Sequence, residues 1–243
     1  MGTNIMRLDK FLSNMGAGSR KSVRTYFKEG AVTVDGVVAA SWDDKIDADK
    51  NVIKIYDTVI KYQKYIYLMM NKPAGVISAT ADPDEDERLI IDSLPEEFAF
   101  YDPFPVGRLD RDTVGMLILT NDGIFSHRTL SPKKHVEKEY FAKADGKIGE
   151  KEIELFGTGV TLEDGYVCKP AKLEIVDQGY NITLIEGKFH QIKRMFEAVG
   201  ATVTYLKRTK FAGIPLDETL AEGECRELNE QETELVKKYM AAD

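Results

Sequence analysis

Two cysteines in 243 residues, Cys168 and Cys225, stand far apart and match no CxxC spacing. Their scarcity excludes a disulfide framework and a cysteine metal finger, and it fits a reducing cytoplasm. The three histidines, His127, His135 and His190, form no HExxH or other paired spacing, so no metal site is expected. No run approaches the roughly 20 apolar residues of a membrane span, and no charged-then-apolar leader resembles a secretory signal. A P-loop and a GxSxG elbow are both missing, and "GAGSR" and "GTGVTL" do not make a GxGxxG after a strand. What remains is carboxylate chemistry without a cofactor, in a chain whose 43% apolar and 30% charged residues describe an ordinary globular protein.

A surplus of positive charge is also lacking, since the net charge is −8. The distribution matters more than the total, because salt screens exposed charges beyond about 8 Å at physiological ionic strength. Residues 82–102 carry −8 and residues 214–243 carry −6, whereas residues 1–30 and 186–210 each carry +4. A polyanion meeting either basic segment would feel attraction. The acidic run from Asp82 to Glu87 lacks the DxDxDG…E calcium pattern and reads as a polar loop.

The first sixty residues read as one small basic unit. In "MRLDKFLSNMG", Leu8, Phe11 and Leu12 line one side of an amphipathic turn or two. "GSRKSVRTYFKEG" predicts a helix capped by Ser19 and ended by Gly30, with Val23, Tyr26 and Phe27 inward. Lys21, Arg24 and Lys28 then share the opposite side beside Arg20, a face suited to gripping phosphates or simply to being solvated. "AVTVDGVV" predicts a hairpin turning at Asp35-Gly36. This segment resembles the S4 RNA-binding domain over most of residues 6–50. Ala31 departs from it, standing where that family often has a basic residue. The resemblance implies RNA contacts from Arg7, Lys10, Arg20, Lys21, Arg24 and Lys28. The domain is placed at residues 1–60, a linker at 57–64, and a second domain at 64–243.

In the second domain, strands are expected at 140–144, 167–175, 181–185 and 202–206, and helices at 150–156 and 189–199. Met116-Leu117-Ile118-Leu119, between Gly115 and the turn pair Asp122-Gly123, reads as a buried strand. Strands outnumber helices and many connections look like hairpins, so the expected class is α+β with a mainly antiparallel sheet. Just before the buried strand, Arg108, Asp110, Arg111 and Asp112 crowd four charges into five positions. Two further pieces carry chemistry. In "HVEKEYFAKA", Lys138 and Tyr140 alternate onto one face of a strand. In "EGKFHQIKRMFEAVG", Ile192, Met195, Phe196 and Val199 form an apolar stripe while Lys193 points elsewhere. Singly, each has a dull explanation: a loop aspartate, a strand tyrosine, a solvated lysine.

In this order, "NKPAGVISAT", "GRLDRDTVGMLILTNDG", "SPKKHVEKEY" and "EGKFHQIKRMF" resemble the pseudouridine synthases of the RsuA type, which modify ribosomal RNA. Met116 stands where leucine is usual and Phe189 where tyrosine is usual. The resemblance implies that Asp110 is the catalytic carboxylate, Lys193 the basic residue beside it, and Tyr140 the phenol that stacks on the uracil. It implies RNA contacts from Arg108, His190 and Arg194, with Arg108 occupying the space left by a flipped uridine. No metal and no cofactor are implied. The expected partner is 16S ribosomal RNA or a small-subunit assembly intermediate, met by a monomer in the cytoplasm and away from membranes. A 23S substrate, a noncatalytic S4-type assembly binder and a nuclease built on the 82–87 acids are the alternatives.

Overall fold

In the computed structural model, residues 4–81 and 87–241 are described. They fall into two compact units. The first comprises residues up to Ile66 together with Pro95–Asp102; the second comprises Tyr67–Leu94 and Pro103–Asp243. The first unit therefore takes back a segment, 95–102, that the sequence pattern leaves with the second domain.

The first unit opens with β1 (Ile5–Arg7), α1 (Leu8–Asn14) and α2 (Arg24–Lys28). Strands β2 (Val32–Val34), β3 (Val37–Val38), β4 (Lys45–Asp47), β5 (Ile53–Ile55) and β6 (Thr58–Ile60) follow. A four-stranded sheet runs β3-β2-β5-β6, and β1 pairs separately with β4. Leu8, Phe11, Leu12, Val23, Val32 and Ile53 are all buried in one cluster, so the apolar side expected from the sequence is the side that packs. The predicted hairpin is present, its turn set by Asp35 at φ 52° and Gly36 at φ 84°, a pair of left-handed conformations that Asp-Gly tolerates. Two local expectations change. The helix spans only Arg24–Lys28, although Ser19 caps the turn before it as expected: its Oγ accepts Ser22 N–H at 3.1 Å and its carbonyl accepts Val23 N–H at 2.9 Å. Residues 58–60, expected as linker, are a sheet strand, paired to β5 across a turn with Tyr56 at φ 50°. The returning segment carries a short helix, α3 (Glu96–Ala99), and lays the Phe100 ring against Gly16.

The second unit is built on one mixed sheet. Its strands are β7 (Tyr67–Lys72), β8 (Phe104–Pro105), β9 (Val114–Thr120), β10 (Lys138–Asp145), β11 (Lys172–Val176), β12 (Gly179–Leu184), β13 (Thr202–Phe211), β14 (Ile214–Pro215) and β15 (Cys225–Glu227). The order is β11-β12-β10-β13-β9-β7-β15, with β8 on β9 and β14 on β13. Pairing is antiparallel throughout except between β9 and β13, which run parallel. Every residue of β9 is buried, as the uninterrupted apolar run "VGMLILT" requires of a strand covered on both faces. Full burial of each Met, Leu or Ile side chain there contributes about 1.5–3 kcal/mol.

Gly115 explains the glycine inside that run. A Cβ at this position would stand 2.3 Å from the Arg208 carbonyl oxygen of β13, at the single parallel junction, and its φ is +99°. No side chain fits there.

Helices α4 (Gly123–Leu130), α5 (Glu150–Thr158), α6 (Gln191–Ala198) and α7 (Glu230–Ala241) flank the sheet. Asp122 does more than end a strand. Its buried carboxylate caps α4, accepting from the N–H groups of Ile124 and Phe125, and accepts the Tyr67 hydroxyl at 2.6 Å. Helices α4 and α7 were not expected from the sequence pattern. The strand expected at 167–175 begins only at Lys172, and the helix expected at 189–199 only at Gln191.

Candidate active site

Asp110 lies on the loop that enters β9, and three residues at the end of β7 and just after it hold that loop. Ser78 Oγ donates to the Leu109 carbonyl and accepts Leu109 N–H, both at 3.1 Å. Gly75 N–H donates to the Arg111 carbonyl at 2.8 Å. The Lys72 ammonium, fully buried, donates to the carbonyls of Thr113 at 2.9 Å, Pro73 at 3.0 Å and Arg111 at 3.3 Å. Three ammonium protons thus meet three carbonyl oxygens. Burial pushes the Lys72 pKa down to about 8, against the upward pull of the charges on Asp112, Asp110 and Glu222.

The crowded charges of this loop separate in space. Arg111 turns to Glu87 at 2.8 Å. Asp112, largely exposed, takes the Lys193 ammonium at 2.5 Å, while Asp110 stands 3.5 Å from the same nitrogen. Partial burial works to raise the Asp112 carboxyl, yet the hydrogen bond and charge of Lys193 outweigh it and leave its pKa below the usual range. Lys193 is itself one-fifth exposed, so the ion pairs sit at the mouth of a pocket and not in bulk water. His190 Nε2 lies 3.8 Å from the other Asp110 oxygen.

Asp110, Arg108, Tyr140, His190 and Lys193 line one open cleft, whose empty volume is about 450 Å³ including its mouth. Leu184, Ile192 and Leu206 supply apolar walls. Tyr140 arrives from β10, at a register shift against β13 between Glu139 and Tyr140. Lys193 arrives from the first turn of α6, whose apolar side buries Ile192, Met195 and Phe196. A loop, a strand and a helix distant in sequence therefore meet in this cleft. A carboxylate, a lysine and a phenol in one apolar-walled cleft can hold a flat ring and act on the group beside it.

Arg194 is placed differently: it ion-pairs with Asp164 and is not part of the cleft lining. In the first unit, Arg7, Lys10, Arg20, Lys21, Arg24 and Lys28 are all exposed. Arg7 donates to the buried Asp9 carboxylate at 2.8 and 3.0 Å, and Arg24 reaches the same group at 4.0 Å while stacking on Trp42. Two of the six are thus engaged with an internal acid. Lys21 lies in the turn before α2, off the helical face on which it was expected.

Sequence reasoning missed the supporting residues. Lys72 closes an otherwise apolar strand, "YLMMNK", and a lysine in that position signals a buried ammonium in need of acceptors. Glu186 is another. Its carboxylate accepts from Lys169 N–H, the Tyr166 hydroxyl and the Gln191 amide, each at 2.9 Å. Burial opposes its ionisation, but these donors prevail and keep its pKa low. Among the described residues no group of three His, Cys, Asp or Glu side chains could hold a metal ion, and no helix is long and apolar enough to cross a membrane. The acids Asp82, Asp84, Glu85 and Asp86 lie outside the described residues.

The family model of RNA pseudouridylate synthases matches residues 66–198, and the S4 domain model matches residues 6–48. The chain is 47% identical over 241 residues to the uncharacterized RNA pseudouridine synthase YtzG of Bacillus subtilis (strain 168), covering 97% of this chain and all of that protein. It is 37% identical to ribosomal small subunit pseudouridine synthase A of Yersinia pestis (93% of this chain, 96% of the relative). The Escherichia coli (strain K12) protein of that name is 36% identical (93% and 98%). A crystal structure of a pseudouridylate synthase superposes with a TM-score of 0.65 at 34% identity, covering 95% of this chain and 99% of the other. The chain belongs to the RsuA-type RNA pseudouridine synthases: an S4 domain followed by a catalytic domain that isomerises uridine in RNA.

Proposed function

We propose that this enzyme converts one uridine of 16S ribosomal RNA, a site of the uridine-516 type, to pseudouridine. The RNA is met as the free transcript or within a small-subunit assembly intermediate, by a monomer in the cytoplasm. The observation that carries the chemical part is the Asp110 carboxylate 3.5 Å from Lys193 Nζ, in the cleft that Tyr140 also lines. The 16S assignment is supported by the small-subunit synthases, matched over 93% of the chain.

The reaction breaks the bond from ribose C1′ to uracil N1 and makes one from C1′ to C5. The C5 proton leaves and N1 gains a proton, so no atom is gained or lost overall. Asp110 acts at the sugar in its ionised form, either attacking C1′ or removing the C2′ proton. Lys193, its ammonium 3.5 Å away, is the counter-charge beside that carboxylate. Tyr140 stacks on the freed uracil and assists loss of the C5 proton. The target base must leave its stack first, at a cost of a few kcal/mol. Arg108, on the same loop as Asp110, fills the gap and stacks on the neighbouring bases. Exposed basic residues of the S4 unit, Lys10, Arg20, Lys21 and Lys28 with Arg7 and Arg24, hold phosphates of the same RNA.

The test is to map pseudouridines in 16S and 23S RNA from cells lacking the gene, then to restore it as wild type or Asp110→Asn. One 16S position should revert to uridine, return with the wild type, and stay uridine with the variant, which still binds the RNA. Product from Asp110→Asn overturns the catalytic assignment; a lost position in 23S overturns the substrate.

A further inference from the structure

Phe189 is 74% exposed, the highest exposure among the large apolar side chains of the chain's described residues. One exposed apolar side chain is ordinary. This one is held in a particular place. Its ring stacks on the His190 imidazole, centroids 3.8 Å apart and planes 18° from parallel. His190 in turn stands 3.8 Å from Asp110 through Nε2. The two rings form a short column that starts at the candidate catalytic carboxylate and ends in solvent.

The backbone beneath this column is fixed. His190 adopts a left-handed φ of 49°, uncommon for a residue other than glycine, directly before α6. Its carbonyl accepts Arg194 N–H at 3.0 Å. The Gln191 side chain clamps both ends of the approach, accepting Lys188 N–H and donating to Glu186, each at 2.9 Å. A strained residue persists only where its surroundings over-determine it, and such residues gather at ligand-contacting positions. Here the outcome of the strain is a flat apolar ring held away from the core and towards water.

We propose that Phe189, backed by His190, is a stacking platform for an unpaired nucleobase immediately flanking the target uridine. The inference rests on the reading of this cleft as a uridine site and extends that site by one base. Every base offers a π-face, so the platform grips without reading a letter; purines, with the larger face, bind it better. Phe189 acts on binding, because it stacks on His190 without itself lining the cleft that holds Asp110. A single-stranded target with its neighbours unstacked is then the preferred substrate, since those bases are free to turn onto the ring.

The experiment uses the full-length enzyme and RNA hairpins containing the modified uridine, with each flanking nucleotide in turn replaced by an abasic residue. Phe189→Ala should raise both Kd and KM by about 5- to 150-fold, the range for loss of one base–aromatic stack, with a much smaller effect on kcat. Phe189→Tyr and Phe189→Trp should keep wild-type Kd. One abasic position should impose the same loss on wild type and no further loss on Phe189→Ala. An unchanged Kd in Phe189→Ala, or a penalty that adds in full to both abasic penalties, overturns the platform. If wild type binds the hairpins and makes no pseudouridine, the reading of the function fails while the Kd comparison still decides the platform.

Discussion

Replacing Lys72 by methionine separates the stability of the Asp110 loop from its geometry. In the folded protein the Lys72 pKa sits at about 8, compared with 10.5 ordinarily. At about 1.4 kcal/mol per pKa unit, that difference is about 3 kcal/mol held against the charged form at neutral pH. The unfolded chain keeps the proton up to about pH 10.5 and the folded chain only to about pH 8. Between these values the unfolded state binds more protons, so stability rises with pH across that window and is lost again as pH falls back to about 8. Methionine removes this burden, but it also removes a donor from the carbonyls of Pro73, Arg111 and Thr113. At about 1 kcal/mol for each net hydrogen bond, the two effects nearly cancel at pH 7. Arg111 moreover keeps its second donor, Gly75 N–H. Urea unfolding should therefore place Lys72→Met within about 2 kcal/mol of wild type at pH 7. The variant should lack part of the stability that wild type gains between pH 8 and 10.5. Lys138, also brought to about 8 by burial and by Arg208, supplies the same slope to both proteins and drops out of the difference. Activity should not cancel. With the 111–113 backbone released, a shift of about 1 Å in Asp110 costs on the order of 10²-fold in turnover. Pseudouridine formation followed by mass-shift labelling gives kcat, and RNA affinity should hardly move. A kcat within about twofold of wild type, or stability curves parallel across the window between the two pKa values, would refute the argument.

Two shorter tests concern the RNA. Arg108→Ala should raise KM and slow turnover by about tenfold, because filling the vacated stack offsets a flipping cost of a few kcal/mol; unchanged binding and turnover sink the insertion role. Neutralising Arg20 and Lys21 together should flatten the dependence of log affinity on log salt by about one to two, roughly one for each phosphate that no longer meets a cation. Arg7→Gln, by contrast, should destabilise the S4 unit by leaving the Asp9 carboxylate, 2% exposed, without its bidentate partner. An unchanged salt slope in the first variant, or an unchanged melting curve in the second, counts against these assignments.

Local chemistry was legible in the residues themselves. A short apolar run bounded by Gly115 and the turn pair Asp122-Gly123 reads as a strand covered on both faces, and β9 is one. Asp35-Gly36 tolerates the left-handed turn that a two-residue hairpin needs, and the hairpin is there. The spacing of Ile192, Met195 and Phe196 fixes which side of α6 is buried and therefore sends Lys193 the other way. The order of motifs pointed to the RsuA type because those sequences meet the same local requirements. Where side chains offered the backbone competing partners, reading along the chain failed. Asp122, read as part of a simple turn, capped a helix with its carboxylate.

Proximity was settled only by tertiary structure. Asp110, Tyr140 and Lys193 lie on a loop, a strand and a helix, and no periodicity says that they share a cleft. Their meeting follows from the sheet order, in which β13 separates β9 from β10 and α6 precedes β13. The division of Lys193 between Asp110 and Asp112 and the inward turn of Arg7 are also outcomes of folding. So is the burial of Lys72 against the backbone of the Asp110 loop. A charge finds its partner by distance through space, and the chain brings such partners together only once its apolar strands have closed into a sheet.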